Sequence, residues 1–410
     1  MIKNLLSLLG MQGINYLIPL VTLPYLTHTL GGFQYGVLST VLILVQYTVL
    51  FVDFGFNLSS TKKISENRDN NYLVNNIFWN TVFAKLILLT ISTSICFILI
   101  NIIPKYNTLN IIYILFLPQI IGSAIFPIWL FQGKENITAI AFTTITSKLT
   151  TLPLLFLLVK SPEDLKVASI ILSIPMLLSG LISLLYLKKI GIRKPTDISL
   201  KSIFEITKES FHYFSGSVAI SIYTLSTPLI LSLTSDYNQV GLYSAADKLR
   251  AAALGVFLIL GQAIYPRANF LLKNNKEQYY IFIRKLFKYQ FITCLLCSLL
   301  FYSILPIIST LILGPDFSNI EVIIRIMSPM VFFIPASVIL ANCIMLPHNK
   351  TKAYALIPWM TNTIHLIPAI ILCYLYGAIG GSISILITEI ISFIFLLTYC
   401  YRSKLLKAPN

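Results

Sequence analysis

The run LILLTISTSICFILIN, residues 86–101, holds sixteen residues and no charged side chain. Coiled at about 1.5 Å per residue, it covers most of a hydrocarbon core roughly 30 Å thick. It lacks the strict alternation of a half-buried strand and is longer than strands usually are. In lipid a helix satisfies its own backbone N–H and C=O groups, which an open strand cannot do. The stretch is read as part of a transmembrane helix over roughly residues 77–101. Working outward, eleven further stretches have the same character, at roughly 4–26, 35–56, 108–131, 137–159, 166–187, 211–233, 240–264, 286–312, 320–346, 354–376 and 378–400.

The whole composition agrees. Of 410 residues, 56% are hydrophobic and only 11% charged, with a mean hydropathy of +0.82; a soluble domain carries about 25% charged residues. So apolar a chain cannot cover a water-facing surface, which excludes a cytosolic enzyme, a secreted disulfide scaffold and a disordered protein. No A-x-A-like cleavage site follows the first apolar stretch, so it is read as a span and not as a signal peptide. The six cysteines, at 96, 294, 297, 343, 373 and 400, are scattered. Cys294 and Cys297 form a C-x-x-C inside an apolar run with no second pair or His, so the thiols read as packing residues without a metal.

The net charge of +15 would suggest nucleic acid in a soluble protein. Here the cations lie in short loops. With the N-terminus inside, 22 Lys and Arg fall on inner segments and 3, Lys105, Lys160 and Lys166, on outer ones. That asymmetry sets both termini in the cytoplasm and removes nucleic acid as a partner. The longest polar loop, Lys188 to Ser210, mixes Lys with Asp197, Glu205 and Glu209 and reads as a linker with a short interfacial helix. It separates an N-terminal half, 1–190, from a C-terminal half, 211–410, with the linker at 191–210. Pro24 followed by Gly36-Val37-Leu38-Ser39 is echoed by Pro228 followed by Gly241-Leu242-Tyr243-Ser244. Repeated halves with Pro-interrupted helices in matching places mark alternating-access transporters. The expected fold is an all-α integral membrane protein of about twelve transmembrane helices, in two six-helix halves around a central cavity.

Five segments stand out in this frame. They are Leu30-Gly31-Gly32-Phe33-Gln34-Tyr35-Gly36, Asp53-Phe54-Gly55-Phe56, Trp129-Leu130-Phe131-Gln132-Gly133-Lys134-Glu135, Gly241-Leu242-Tyr243-Ser244-Ala245-Ala246-Asp247-Lys248-Leu249 and Tyr265-Pro266-Arg267. In this order and in these topological slots the chain resembles the polysaccharide (O-antigen) flippases, the Wzx-like branch of the multidrug/oligosaccharidyl-lipid/polysaccharide exporter superfamily. The resemblance implies that the protein moves undecaprenyl-pyrophosphate-linked repeat units across the bacterial inner membrane, from the cytoplasmic to the periplasmic side. It also implies a polysaccharide polymerase and a chain-length regulator as partners.

Such a cargo needs a polar path for sugar and diphosphate, with cations along it. Five cations fall within spans: Lys85, Lys148, Lys248, Arg250 and Arg325. At a lipid-facing centre each would cost roughly 2.5–3.5 kcal/mol, so they are expected to face a wet cavity or a buried partner. Each has a plainer reading. Arg325 is one turn from Glu321 and can pair with it. Arg250 sits three after Asp247, so a local ion pair competes with a cavity role. Lys248 has no same-helix partner. Lys148 lies among Thr143, Thr144, Thr146, Ser147, Thr150 and Thr151, which read as a cavity face or as contacts between helices. Lys85 either lines the cavity or snorkels. Of the buried acids, Asp53 is expected to pair with Lys62 or Lys63, or to cap its turn. Glu389 has no charged neighbour in sequence and reads as an H+ or Na+ coupling site or as a partner for a cation. His365 reads as a structural hydrogen-bonding histidine.

A cation-coupled multidrug exporter of the same superfamily is the alternative, but five cations against about three acids within spans favour an anionic cargo. A membrane-bound polymerase or glycosyltransferase needs a large outer loop or an acidic metal motif, and the sequence offers neither. No catalysis and no cofactor beyond a coupling ion are expected.

Overall fold

The computed structural model describes residues 2–195 and 198–406; Asp197 of the linker and Lys407 of the tail lie outside them. Fifteen α-helices follow one another: α1 Ile2–Asp53, α2 Phe56–Glu66, α3 Asn71–Ile102, α4 Asn110–Leu115, α5 Leu117–Ile125, α6 Ile128–Gly133, α7 Ile137–Leu158, α8 Leu165–Leu187, α9 Leu200–Thr234, α10 Tyr237–Asn274, α11 Lys276–Ser303, α12 Leu305–Leu313, α13 Ile320–Met327, α14 Met330–Val338 and α15 Thr351–Arg402. A π-helical turn, Ile339–Met345, extends α14. Among the described residues, eight helices are long and apolar enough to cross a membrane, or nine if the bent pair Pro104–Leu115 and Leu117–Gly133 counts as one span.

Breaks fall where the backbone demands them. Both 52-residue helices contain one non-helical residue, Gly31 in α1 (φ 71°) and Gly377 in α15 (φ 55°). Glycine takes such angles without a Cβ clash. The single span expected over 108–131 is instead bent by 52°. Pro118 opens α5 and Pro127 precedes α6, and a proline cannot donate to the turn before it. Helix starts carry side-chain caps. Asn70 accepts from Leu73 N at 3.1 Å, Asp236 from Gln239 N at 2.9 Å, and Asn275 from Gln278 N at 3.0 Å, which meets backbone donors left open in a first turn.

The chain folds as two compact units. The first comprises Met1–Asn15 and Val37–Ser221, the second Tyr16–Gly36 and Ile222–Asn410. In the first, one apolar cluster gathers Ile64, Val74, Phe78, Trp129 and Leu130. In the second, Tyr279, Ile283, Cys343, Ile344 and Cys400 pack together. Large apolar side chains such as Leu157, Leu185, Leu311 and Ile367 are exposed, as a lipid-facing surface requires.

Helices within each unit approach closely at glycine. A Cβ on Gly122 of α5 would overlap the backbone of Met176 and Leu177 in α8, whereas one on Gly216 of α9 would meet nothing within 4 Å. Gly122→Ala is therefore expected to destabilise the protein by about 1–3 kcal/mol through overpacking. Gly216→Ala is expected to leave it unchanged or up to about 1 kcal/mol more stable. Thermal unfolding of the purified protein in one detergent checks the opposite signs.

Candidate functional site

In the first unit the most buried cation is Lys85, 1% exposed. Its Nζ donates to Asp53 Oδ1 at 2.6 Å and to the Ser123 carbonyl at 2.6 Å, and lies 4.6 Å from the centre of the Trp129 ring. Asp53 thus pairs with Lys85 and not, as the sequence suggested, with Lys62 or Lys63. Lys62 lies 4.0 Å from Glu66 and Lys63 pairs with Glu209. The reason is the sharp turn after α1, where Phe54 (φ 38°) and Gly55 (φ 77°) halt the helix at Asp53. Gly55 also has no room for a Cβ, which would stand 2.6 Å from Phe214 N. Two of the recognised segments therefore build one charge-sealing device.

The Trp129–Glu135 segment continues it. Gly133 packs on Ile64, Lys134 Nζ donates to the Arg68 carbonyl, and Glu135 forms an ion pair with Arg68 at 2.8 Å. The Arg68 hydrogen bond holds the Glu135 carboxyl below the usual carboxylate range.

Lys148 is half-buried and donates to Asn15 Oδ1 at 2.7 Å. No carboxylate lies within ion-pair distance of it among the described residues. The surrounding hydroxyls divide. Thr143, Ser147 and Thr151 are buried and donate to carbonyls of their own helix. Ser179 of α8 reaches the Thr143 carbonyl at 3.4 Å, so this stripe is a contact between helices. The Thr144 hydroxyl, one turn before Lys148, is buried and has no hydrogen-bond partner among the described residues.

In the second unit Arg250, 9% exposed, donates to Asp247 Oδ1 through Nε at 3.0 Å and Nη2 at 2.5 Å. Its Nη1 lies 3.7 Å from Met330 Sδ. Lys248 points away from this pair and stands 5.1 Å from the Tyr35 ring centre. Tyr35 is fully buried, and its hydroxyl has no partner among the described residues. The Leu30–Gly36 segment places this ring: Gly32 N donates to Asp316 Oδ2 at 2.9 Å, and a Cβ on Gly36 would overlap the Tyr237 carbonyl. Arg325 is 46% exposed and lies 3.6 Å from Glu321, the plainer of its two readings.

Glu389, 7% exposed, accepts from the Tyr223 hydroxyl. His365 is held on both ring nitrogens, by Thr227 at 2.9 Å and Thr388 at 2.8 Å. Asn15, Ser123, Tyr223, Thr227 and Met330 were not singled out from sequence. An Asn well inside the first apolar run is the available signal for Asn15, since such a residue seeks a partner in lipid.

The family model for "Polysaccharide biosynthesis protein" matches residues 1–269. A protein of Escherichia coli (strain K12) whose name describes an O-antigen transporter is 33% identical over 412 residues, covering 98% of this chain and 97% of that one. A protein of Shigella dysenteriae with the same name is 33% identical over 402 residues, covering 96% and 98%. Among solved structures, the lipid II flippase MurJ in an inward closed conformation aligns at a TM-score of 0.76 with 14% identity, covering 98% of this chain and 88% of that one. An inward-facing multidrug resistance MATE family transporter of the MOP superfamily aligns at 0.68 with 12% identity, covering 96% and 100%. The fold is the one seen in these two solved structures.

Removing one member of a buried ion pair strands the other. Asp53→Ala, which leaves Lys85 unpaired, is expected to lower stability by about 3 kcal/mol. Lys85→Met should cost less, because the Asp53 side chain is 28% exposed and keeps some water. The double change should recover most of the loss. Unfolding midpoints of the four proteins check the order.

Proposed function

The chain belongs to the polysaccharide biosynthesis protein family, a family of transporters and not of enzymes, and on that premise we propose that it flips lipid-linked oligosaccharide repeat units. The carrier is undecaprenyl pyrophosphate, and the repeat unit passes from the cytoplasmic to the periplasmic side of the bacterial inner membrane for O-antigen synthesis. There a polymerase and its chain-length regulator take it up. The observation that carries the reading is similarity over nearly the full length to two proteins named for O-antigen transport.

We keep the twelve spans expected from sequence, beside the eight, or nine with the bent pair, that are long and apolar enough among the described residues. The broken helices α1 and α15 each hold two spans, the bent pair holds one, and α10 adds another to the remaining six candidates. Counted this way the spans make twelve, and we keep two six-helix halves, a linker at 191–210 and both termini in the cytoplasm as the sequence-based arrangement, while the compact units divide at Ser221 and include Tyr16–Gly36 in the second. Transport proceeds by alternating access along a polar path lined with cations.

Lys148 and Lys248 are the residues best placed to meet a diphosphate. Each is half-buried, and neither has a carboxylate partner among the described residues. Arg250 follows, since Asp247 occupies only part of its five N–H donors. Lys85 and Arg325 are engaged by structural partners and contribute field more than contact. Glu389 is assigned to H+ or Na+ coupling, because it is a buried carboxyl that accepts from the Tyr223 hydroxyl and has no ion-pair partner among the described residues.

Two experiments test this. Deleting the gene in its host should abolish surface polymer and strand repeat units on the cytoplasmic leaflet. Normal polymer with heightened drug sensitivity would support a multidrug exporter instead. Lys148→Ala and Lys248→Ala should each weaken binding of the lipid-linked diphosphate about tenfold to a hundredfold, as a lost charged hydrogen bond of about 1.5–3 kcal/mol implies. Protein abundance should stay unchanged. Wild-type affinity in both variants would remove these residues from the path.

A further inference from the structure

An apolar groove of about 440 Å³ opens in the second unit, lined by Ala253 and Phe257 of α10, Cys297, Leu300, Phe301 and Ile304 along α11, and Leu305 and Ile308 of α12. Its origin is local. The α11 helix ends at Ser303 and α12 begins at Leu305 with Pro306 in its first turn, where the proline has no N–H to donate and the helical ladder is interrupted. Opposite, the run Ala251-Ala252-Ala253 followed by Gly255 strips α10 of bulk, and Cys297 is small as well. Small side chains form the floor, and Phe257 and Phe301 the larger flanks.

The groove is not an isolated apolar face. Arg250, Ala253 and Phe257 are spaced i, i+3 and i+7 and share one side of α10. One turn from the groove floor, therefore, stands a guanidinium whose Nε and Nη2 both spend donors on a single carboxylate oxygen of Asp247. Among the described residues, the hydrogen-bond partner of its Nη1 is a thioether sulfur, a weak acceptor that an anionic oxygen would displace. Lys248 adds a second cation on the next face of the helix, over the Tyr35 ring. Between residues 247 and 250 two cations thus meet one carboxylate. An apolar trough with Arg250 one helical turn from its Ala253 wall matches a molecule with an anionic head and a long hydrocarbon tail.

We propose that this groove holds the isoprenoid tail of a long-chain polyisoprenyl diphosphate, with the diphosphate at Arg250. The assignment rests on the flippase reading above and adds where the carrier lies. The helix then reads the head and the start of the tail together, and the rest of the tail leaves along the α11–α12 wall. The saccharide is not recognised at this place.

The test uses the full-length protein in nanodiscs and two probes. One is a polyisoprenyl diphosphate with a photoreactive group in its tail, the other a phosphatidylglycerol with the same group in an acyl chain. The isoprenoid probe should form adducts on peptides covering 253–257 and 297–308. Unlabelled polyisoprenyl diphosphate should compete for them, and phosphatidylglycerol should not. Ala253→Trp should fill the groove and abolish these adducts, and Cys297→Phe, on the opposite wall, should do the same if Ala253→Trp fails to fold. Isoprenoid adducts located elsewhere on the chain would overturn the groove assignment and leave the flippase reading intact. Equal labelling of the groove by both probes would show ordinary bilayer lipid and also overturn it. Failure of the flippase reading would register separately, as normal surface polymer in the deleted host.

Discussion

A charge inside hydrocarbon must be paired, kept wet or neutralised, and this constraint organises the polar half of the molecule. The chain answers it in three ways. Lys85 is sealed by Asp53, a carbonyl and an aromatic face. Arg250 is paired to a carboxylate of its own helix. Lys148 and Lys248 are given an amide oxygen and an aromatic ring, partners that carry no opposite charge. A sealed pair has little left to offer a ligand, since drawing one member away strands the other in a low dielectric. A cation resting on a neutral partner keeps its field, and an arriving anion improves its state. The division separates Lys85, whose donors are spent on a carboxylate and a carbonyl, from Arg250, which keeps donors beyond its carboxylate, and from Lys148 and Lys248, whose charge no carboxylate balances among the described residues.

The short glycine-bearing segments follow the same logic. Gly55 lets the chain turn directly after Asp53, and with no Cβ it admits the backbone of α9 at Phe214. Gly31 and Gly32 break α1 and present a backbone N–H to Asp316, which fixes the next turn and with it the Tyr35 ring beneath Lys248. Gly36 gives α1 contact with the Tyr237 carbonyl at the start of α10. Each segment serves packing first, and the charged side chain is placed as a consequence. A substitution at one of these glycines is thus expected to act on a cation some distance away.

Much of this was open to inspection before any coordinates. Lipid enforces long apolar helices, so the all-helical membrane class, the segments and the list of buried charges are written in composition and run length. The partners of those charges are not. Asp53 and Lys85 lie 32 residues apart, and nothing in either helix states the rotation that turns one toward the other. The nearer Lys62 and Lys63 were the natural guess, and it fails because the turn at Phe54 and Gly55 redirects the chain. Where partners share a helix, as with Arg250 and Asp247 or Arg325 and Glu321, periodicity alone named them. The hydroxyls around Lys148 show the intermediate case. Sequence marked a polar run, and packing then divided it into a stripe buried against α8 and a Thr144 hydroxyl with no hydrogen-bond partner among the described residues.

A carrier lipid has an unvarying part, the diphosphate and the isoprenoid chain, and a varying part, the saccharide. On the assignment proposed above, the periodicity of α10 suits the unvarying part, because a helix fixes the spacing between a cation and an apolar trough one turn away. A shift of one residue in that run would turn Arg250 about 100° from the groove and break the match between head and tail. The saccharide imposes no such register. It can be met by hydroxyls, amides and aromatic rings on several elements, which tolerate exchange without disturbing the charge pairs that hold the fold. Recognition of the carrier by one helix and of the sugar elsewhere would let the cargo's sugars change while the transport machinery stays the same.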